Sequence, residues 1–177
     1  MCSGITFNDD KGNMYFARNL DWNVGYGQKV VVTPRGFKRT YAFDVEPKEN
    51  YAVIGPCIVQ ENVPLYFDCG HDQGLAIAGL NFPGYAQYEE GPVEGKTNIA
   101  AYEFPLWVAS NFKTVDDVEE ALQNVAIVAK AINDLFPISL LHWIIADADR
   151  CIVVEYIADG KHIHHYDICV LANQPTF

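Results

Sequence analysis

The chain opens on short apolar runs cut by turn residues. Cys2 to Phe7 is an apolar-leaning run, Asn8-Asp9-Asp10-Lys11-Gly12-Asn13 is a turn cluster, and Met14 to Arg18 returns as a strand, which predicts a β-hairpin. Lys29 to Thr33 is β-branched and stops at Pro34. Ala52 to Val59, Leu65 to Cys69 and Leu75 to Leu80 predict further strands, punctuated by Pro64, Gly70, Gly74 and Pro83. The middle of the chain turns helical. Glu103 to Phe112 predicts a short, buried helix with Pro105 in its first turn. Thr114-Val115-Asp116-Asp117 has the capping-box pattern, and Val115, Val118, Leu122 and Val125 then recur at helical spacing. The last third returns to strands at Leu140 to Ala146, Cys151 to Ile157, His162 to His165 and Ile168 to Ala172. Strands, then helices, then strands predict a layered α+β domain with helices on one sheet face.

Length and composition keep that picture within one domain. The chain has 177 residues, half of them apolar and 20% charged, with no internal repeat or linker. We therefore expect a single domain over residues 1–177. It ends at Gln174-Pro175-Thr176-Phe177, directly after an apolar strand, so the expected domain is incomplete at its C-terminus. The net charge of −11 repels phosphate backbones, and no Lys or Arg run offsets it, which argues against nucleic-acid partners. No apolar run reaches membrane-spanning length. Residues 2–20 are strand-like and carry Asp9, Asp10 and Arg18, which is unlike a signal peptide. The five cysteines are odd in number and form no CxxC pair. The expectation is a cytoplasmic protein with reduced thiols, in which Cys57, Cys69, Cys151 and Cys169 pack in apolar strands.

Cys2 is the exception among the cysteines. Methionine aminopeptidases remove Met1 when a small residue follows, which would leave a cysteine with a free α-amine. That amine has an ordinary pKa of about 7.7–8.0 and sits a few bonds from the sulfur, so one residue supplies nucleophile and base. The expected hairpin returns Arg18 beside residue 2, where a guanidinium favours thiolate. Asp21 can hold the terminal amine by a charge-assisted hydrogen bond. Taken singly, each also fits a plain strand or surface turn. The run Gly74 to Gly84 offers backbone amides near Asn81, but lacks the GK[ST] ending of a phosphate loop and equally fits a strand and turn. Asn81 and Asn173 each end a strand and are candidate oxyanion donors. His162, His164 and His165 lack an obvious acidic or cysteine partner, so a metal site is not expected there, and His142 fits a core histidine.

Taken together these residues resemble the choloylglycine hydrolase family, of bile salt hydrolases and penicillin V acylases. The resemblance is carried by Met1-Cys2-Ser3-Gly4, Ala17-Arg18-Asn19-Leu20-Asp21-Trp22, Gly79-Leu80-Asn81-Phe82-Pro83-Gly84-Tyr85, Leu141-His142-Trp143, Ile152-Val153-Val154-Glu155 and Asn173-Gln174-Pro175-Thr176-Phe177. It implies an N-terminal-nucleophile hydrolase fold, a four-layer αββα sandwich. It implies Cys2, Arg18, Asp21, Asn81 and Asn173 as catalytic residues, with no cofactor and no metal. It places Leu20, Phe67, Ile132 and Phe136 in an apolar steroid pocket. The implied reaction is hydrolysis of the amide in glycine- or taurine-conjugated bile salts. Asn81 favours that branch, because penicillin acylases of the family typically carry tyrosine there. The rivals are a penicillin V acylase or acyl-homoserine-lactone amidase with the same chemistry, and an inactive bile-salt-binding fragment. Family members are longer and commonly homotetrameric, and a second family arginine has no counterpart in this chain.

Overall fold

The computed structural model describes residues 1–177 apart from Trp22, Val24, Tyr26, Pro47, Glu49, Glu61 and Tyr166. The N-terminal hairpin forms as expected, with β1 (Ser3–Asn8) antiparallel to β2 (Met14–Asn19). Asp9 shapes its turn, since Oδ1 accepts from the backbone N–H of Lys11 at 2.9 Å and of Asn13 at 2.8 Å. β3 (Lys29–Thr33) follows. The two strands expected at 52–59 and 65–69 become three: β4 (Val53–Gln60), β5 (Val63–Tyr66) and β6 (Asp68–His71). The break falls at Phe67 because β4 is long enough to pair β6 with its first residues and β5 with its last. β7 (Ala76–Asn81) and β8 (Thr97–Ala100) lead into the helices.

α1 (Phe104–Asn111) is buried along its whole length, and Pro105 occupies its first turn, where no N–H is required. α2 (Val115–Leu122) starts on the expected capping box: Thr114 Oγ1 accepts from the Asp117 N–H at 3.2 Å, and Asp117 Oδ2 accepts from the Thr114 N–H at 3.0 Å. The helix stops at Leu122 rather than running on through Val125. Val125 instead opens β9 (Val125–Val128), which pairs in parallel with β8 and is buried throughout. A β-branched run covered on both faces suits a strand better than a helix end. β10 (Leu141–Ala146), β11 (Cys151–Ile157), β12 (Gly160–His165) and β13 (Val170–Ala172) complete the described elements.

The large sheet runs β12-β11-β10-β7-β6-β4-β3, with β5 attached to β4, and a small sheet runs β13-β1-β2. α1 covers one face of the large sheet over β4 to β7. Ile77, Trp143, Ile145 and Val154 meet Phe104, Leu106 and Val108 there in the main core. The opposite face carries Ala78, Leu80, Ile144 and Val153, which pack on Cys2 and Leu171 of the small sheet, with Phe16 and Leu20 at the margin. Alternation along β10 thus feeds two cores, which is why the strand is apolar without interruption. Gly4 lets the sheets approach, since a Cβ there would lie 3.0 Å from Ile144 Cγ2. The described layers are therefore helix, sheet and sheet. The outer face of the small sheet exposes Ile5, Phe7, Tyr15 and Val170, and no described helix packs on it.

One cysteine expectation is corrected. Cys151 and Cys169 form a disulfide, with Cα atoms 6.1 Å apart. β12 pairs back along β11, so His165 lies opposite Ile152, and the chain leaving β12 carries Cys169 past the start of β11. No local spacing announces that return. Cys2, Cys57 and Cys69 are free thiols.

Candidate active site

Cys2 enters β1 at the seam between the two sheets and is 3% exposed. Gly4 lies opposite Arg18 in the hairpin, and that register returns the arginine side chain to residue 2. Arg18 Nη2 donates to Cys2 Sγ at 3.6 Å and to the Gly79 carbonyl at 3.0 Å. β13 pairs with β1 on its other side, Ser3 opposite Ala172, so Asn173 emerges beside residue 2. The Asn173 amide then bridges two strands: Oδ1 accepts from the Cys2 N–H, and Nδ2 donates to the Asn81 carbonyl at 2.6 Å. Asp21 Oδ2 lies 2.7 Å from the Met1 ammonium, and this carboxylate is largely exposed. Cys2, Arg18, Asn81 and Asn173 are thus brought together, while Asp21 meets the chain terminus rather than the sulfur. Trp22, from the same run of sequence, lies outside the described residues.

An apolar cavity of about 640 Å3 opens from this cluster. Cys2, Arg18 and Asn81 form its polar end, and Leu20, Phe67, Ile132 and Phe136 all line it. Ile58, Leu65, Tyr102 and Ile138 also line the cavity and were not singled out by the sequence. Their only signal is apolar character, which core residues share. The loop over 129–140 forms one wall, tied by Ile132 N–H donating to the Phe136 carbonyl at 3.1 Å.

Asp68 was also missed. It begins β6 behind Arg18, with Oδ1 3.6 Å from Nη1. Burial raises its carboxyl above the ordinary aspartate value, and the Arg18 charge offsets only part of that rise. Its one visible signal is an acid inside an apolar strand segment. The other free thiols differ from Cys2 in their surroundings. Burial pushes Cys57 up to about 11 and raises Cys69 well above the ordinary thiol range, so both stay protonated at neutral pH.

His142 lies in the core, as its apolar strand suggested, whereas the three histidines of β12 meet acids that the sequence did not mark. His142 is fully buried, stacks on Phe82 at 4.0 Å and lies 2.9 Å from Glu155 Oε1 through Nδ1. The three histidines of β12 reach different acids: His162 meets Asp159 at 2.8 Å, His164 meets Glu155 at 3.4 Å and His165 meets Glu119 at 3.1 Å. Among the described residues no three metal-ligating side chains gather.

A small sheet led by Cys2, laid on a larger sheet that is covered by helix, is the N-terminal-nucleophile hydrolase fold. The chain belongs to the choloylglycine hydrolase family of linear amide C–N hydrolases, whose family model matches residues 2–177. It is 55% identical to a bile salt hydrolase/transferase of Bifidobacterium longum subsp. longum, over all of this chain and 56% of that protein. It is 48% identical to a conjugated bile acid hydrolase of Lactobacillus gasseri, again over all of this chain and 56% of that protein. The chain therefore spans about half the length of the curated relatives it matches. The crystal structure of the C2A mutant conjugated bile acid hydrolase from Clostridium perfringens superposes with a TM-score of 0.94 at 37% identity, covering all of this chain and 54% of that one. A penicillin V acylase from Agrobacterium tumefaciens shares the fold, with a TM-score of 0.81 at 24% identity over 99% of this chain and 53% of that one.

Proposed function

We propose that the protein carrying this chain hydrolyses the amide bond of glycine- or taurine-conjugated bile salts, with Cys2 as nucleophile after loss of Met1. The observation that carries this reading is the buried Cys2 sulfur, 3.6 Å from a buried guanidinium, at the polar end of an apolar cavity. That cavity's size is in the range of small-molecule sites. The names of the relatives support the substrate class.

Removal of Met1 turns the Cys2 nitrogen into an amine that keeps Asn173 Oδ1 as its acceptor. The amine takes the thiol proton, and Arg18 stabilises the resulting thiolate. Sulfur bonds to the amide carbon, and N–H donors of Asn81 and Asn173 meet the oxyanion. The C–N bond then breaks as the ammonium protonates the leaving nitrogen of glycine or taurine. The amine next deprotonates a water, which attacks the thioester, and the bile acid leaves as the thiol re-forms. Asp21, which meets the Met1 ammonium, is freed by the loss of Met1 to pair with the new terminal ammonium.

The test compares hydrolysis of glycocholate, taurocholate and penicillin V by the wild type and by C2A, with mass spectrometry of the N-terminus. Faster cleavage of the bile salts, none by C2A and a chain starting at Cys2 are expected. Faster cleavage of penicillin V would replace the substrate class and keep the chemistry. Glycocholate binding without turnover in the wild type would make the cavity a binding site alone. Activity with Met1 retained would remove the proposed base.

A further inference from the structure

We propose that Asp68 is a positioning residue, holding the Arg18 guanidinium against the Cys2 sulfur. This rests on the nucleophile role proposed for Cys2 and extends it to a strand that no sequence motif marked. The Arg18 side chain is 4% exposed and that of Asp68 is 19% exposed. The guanidinium lies between two groups: Nη1 is 3.6 Å from Asp68 Oδ1, and Nη2 is 3.6 Å from Cys2 Sγ and 3.0 Å from the Gly79 carbonyl. Constraints on both terminal nitrogens fix the rotation of a planar group. At 3.6 Å the carboxylate forms an ion pair too long for a hydrogen bond, so it supplies charge and direction. A guanidinium buried without an anion is strongly unfavourable, and Asp68 offsets that cost while the thiol is neutral.

The fold builds this placement deliberately. Asp68 pairs with Ala78, next to Gly79, so carboxylate and carbonyl approach the guanidinium from adjoining strands. β4 passes so close behind that a Cβ at Gly55 would fall 2.1 Å from the Asp68 carbonyl oxygen. The other titratable groups nearby stay neutral: burial raises Cys69 well above the ordinary thiol range and Tyr66 to about 12. Asp68 is the carboxylate that meets Arg18 at this end of the cavity.

The test is the pH dependence of Cys2 alkylation by iodoacetamide, located by mass spectrometry, in the wild type, D68N and D68A. D68N keeps an oxygen for Nη1 but removes the charge, so the thiolate becomes the nearest anion and the midpoint falls by about one unit. D68A frees the guanidinium, so the midpoint rises and alkylation below it slows about tenfold. Shifts of the same sign, or no shift, in folded variants overturn the role of Asp68. Should D68A show no cooperative thermal unfolding, D68N decides alone, and a midpoint unchanged or raised overturns the role. A wild-type midpoint near the ordinary cysteine value of about 8.5 overturns both this role and the activation proposed for Cys2. A depressed wild-type midpoint with unshifted D68N overturns the Asp68 role alone.

Discussion

Glu155 is fully buried, yet three groups meet its carboxylate: His142 Nδ1 at 2.9 Å, the Phe177 N–H at 3.3 Å and His164 Nε2 at 3.4 Å. Burial pushes the carboxyl up, but the His142 and Phe177 hydrogen bonds and the histidine charges outweigh it and hold it below the ordinary glutamate value. The folded state therefore releases this proton more readily than the unfolded chain. Its contribution is complete above the ordinary value of about 4.3 and is lost as pH falls through the lower folded value. E155Q is expected to flatten that acid limb and to cost about 1.5–3 kcal/mol at pH 7. Denaturant midpoints between pH 7 and pH 3 check both. Asn173 makes a second residue-scale prediction. N173A removes a proposed oxyanion donor, so kcat on glycocholate should fall about 100- to 1000-fold. An equal loss of thermal stability without the kinetic effect would assign Asn173 to structure alone.

At the scale of elements, local signals succeeded where a segment's own chemistry sets its form. The capping box of α2 is such a signal, and T114A should cost about 1 kcal/mol of stability by removing it, as equilibrium unfolding would measure. The hairpin of β1 and β2 was legible because Asp9 writes its turn into the sequence. Signals failed where a partner strand decides. Val125 kept helical spacing but became β9, because β8 lies beside it. The strand expected at 65–69 broke into two, because β4 accepts β5 and β6 on different stretches. Gly55 marks the same crowding. G55A forces a methyl group onto the Asp68 carbonyl and should destabilise the protein by about 1–3 kcal/mol.

At the scale of the whole molecule, the small sheet is held to the large one by an apolar seam and by one covalent link. The Cys151–Cys169 disulfide ties β11 to the segment that leads into β13, across a separation of 18 residues. In the loop-entropy account such a link contributes about 3 kcal/mol. C151S should therefore lower the thermal midpoint, and reductant should lower it in the wild type but leave C151S unmoved. Because Cys169 also accepts a backbone hydrogen bond from Thr6 at 2.9 Å, the link sits one strand away from Asn173 and Cys2.

The sequence by itself determined most elements, the pairing of Cys2 with its hairpin arginine, and the run of motifs that marks the family. Those features depend on neighbours a few residues away, or on words carried intact along the chain. Only the tertiary structure decided that Asn173 meets Cys2 across 171 residues, that Asp68 backs Arg18, that Cys151 finds Cys169, and that scattered apolar side chains enclose one cavity. Each needs two sheets to close on each other, and no periodicity or spacing in one segment encodes the register of another.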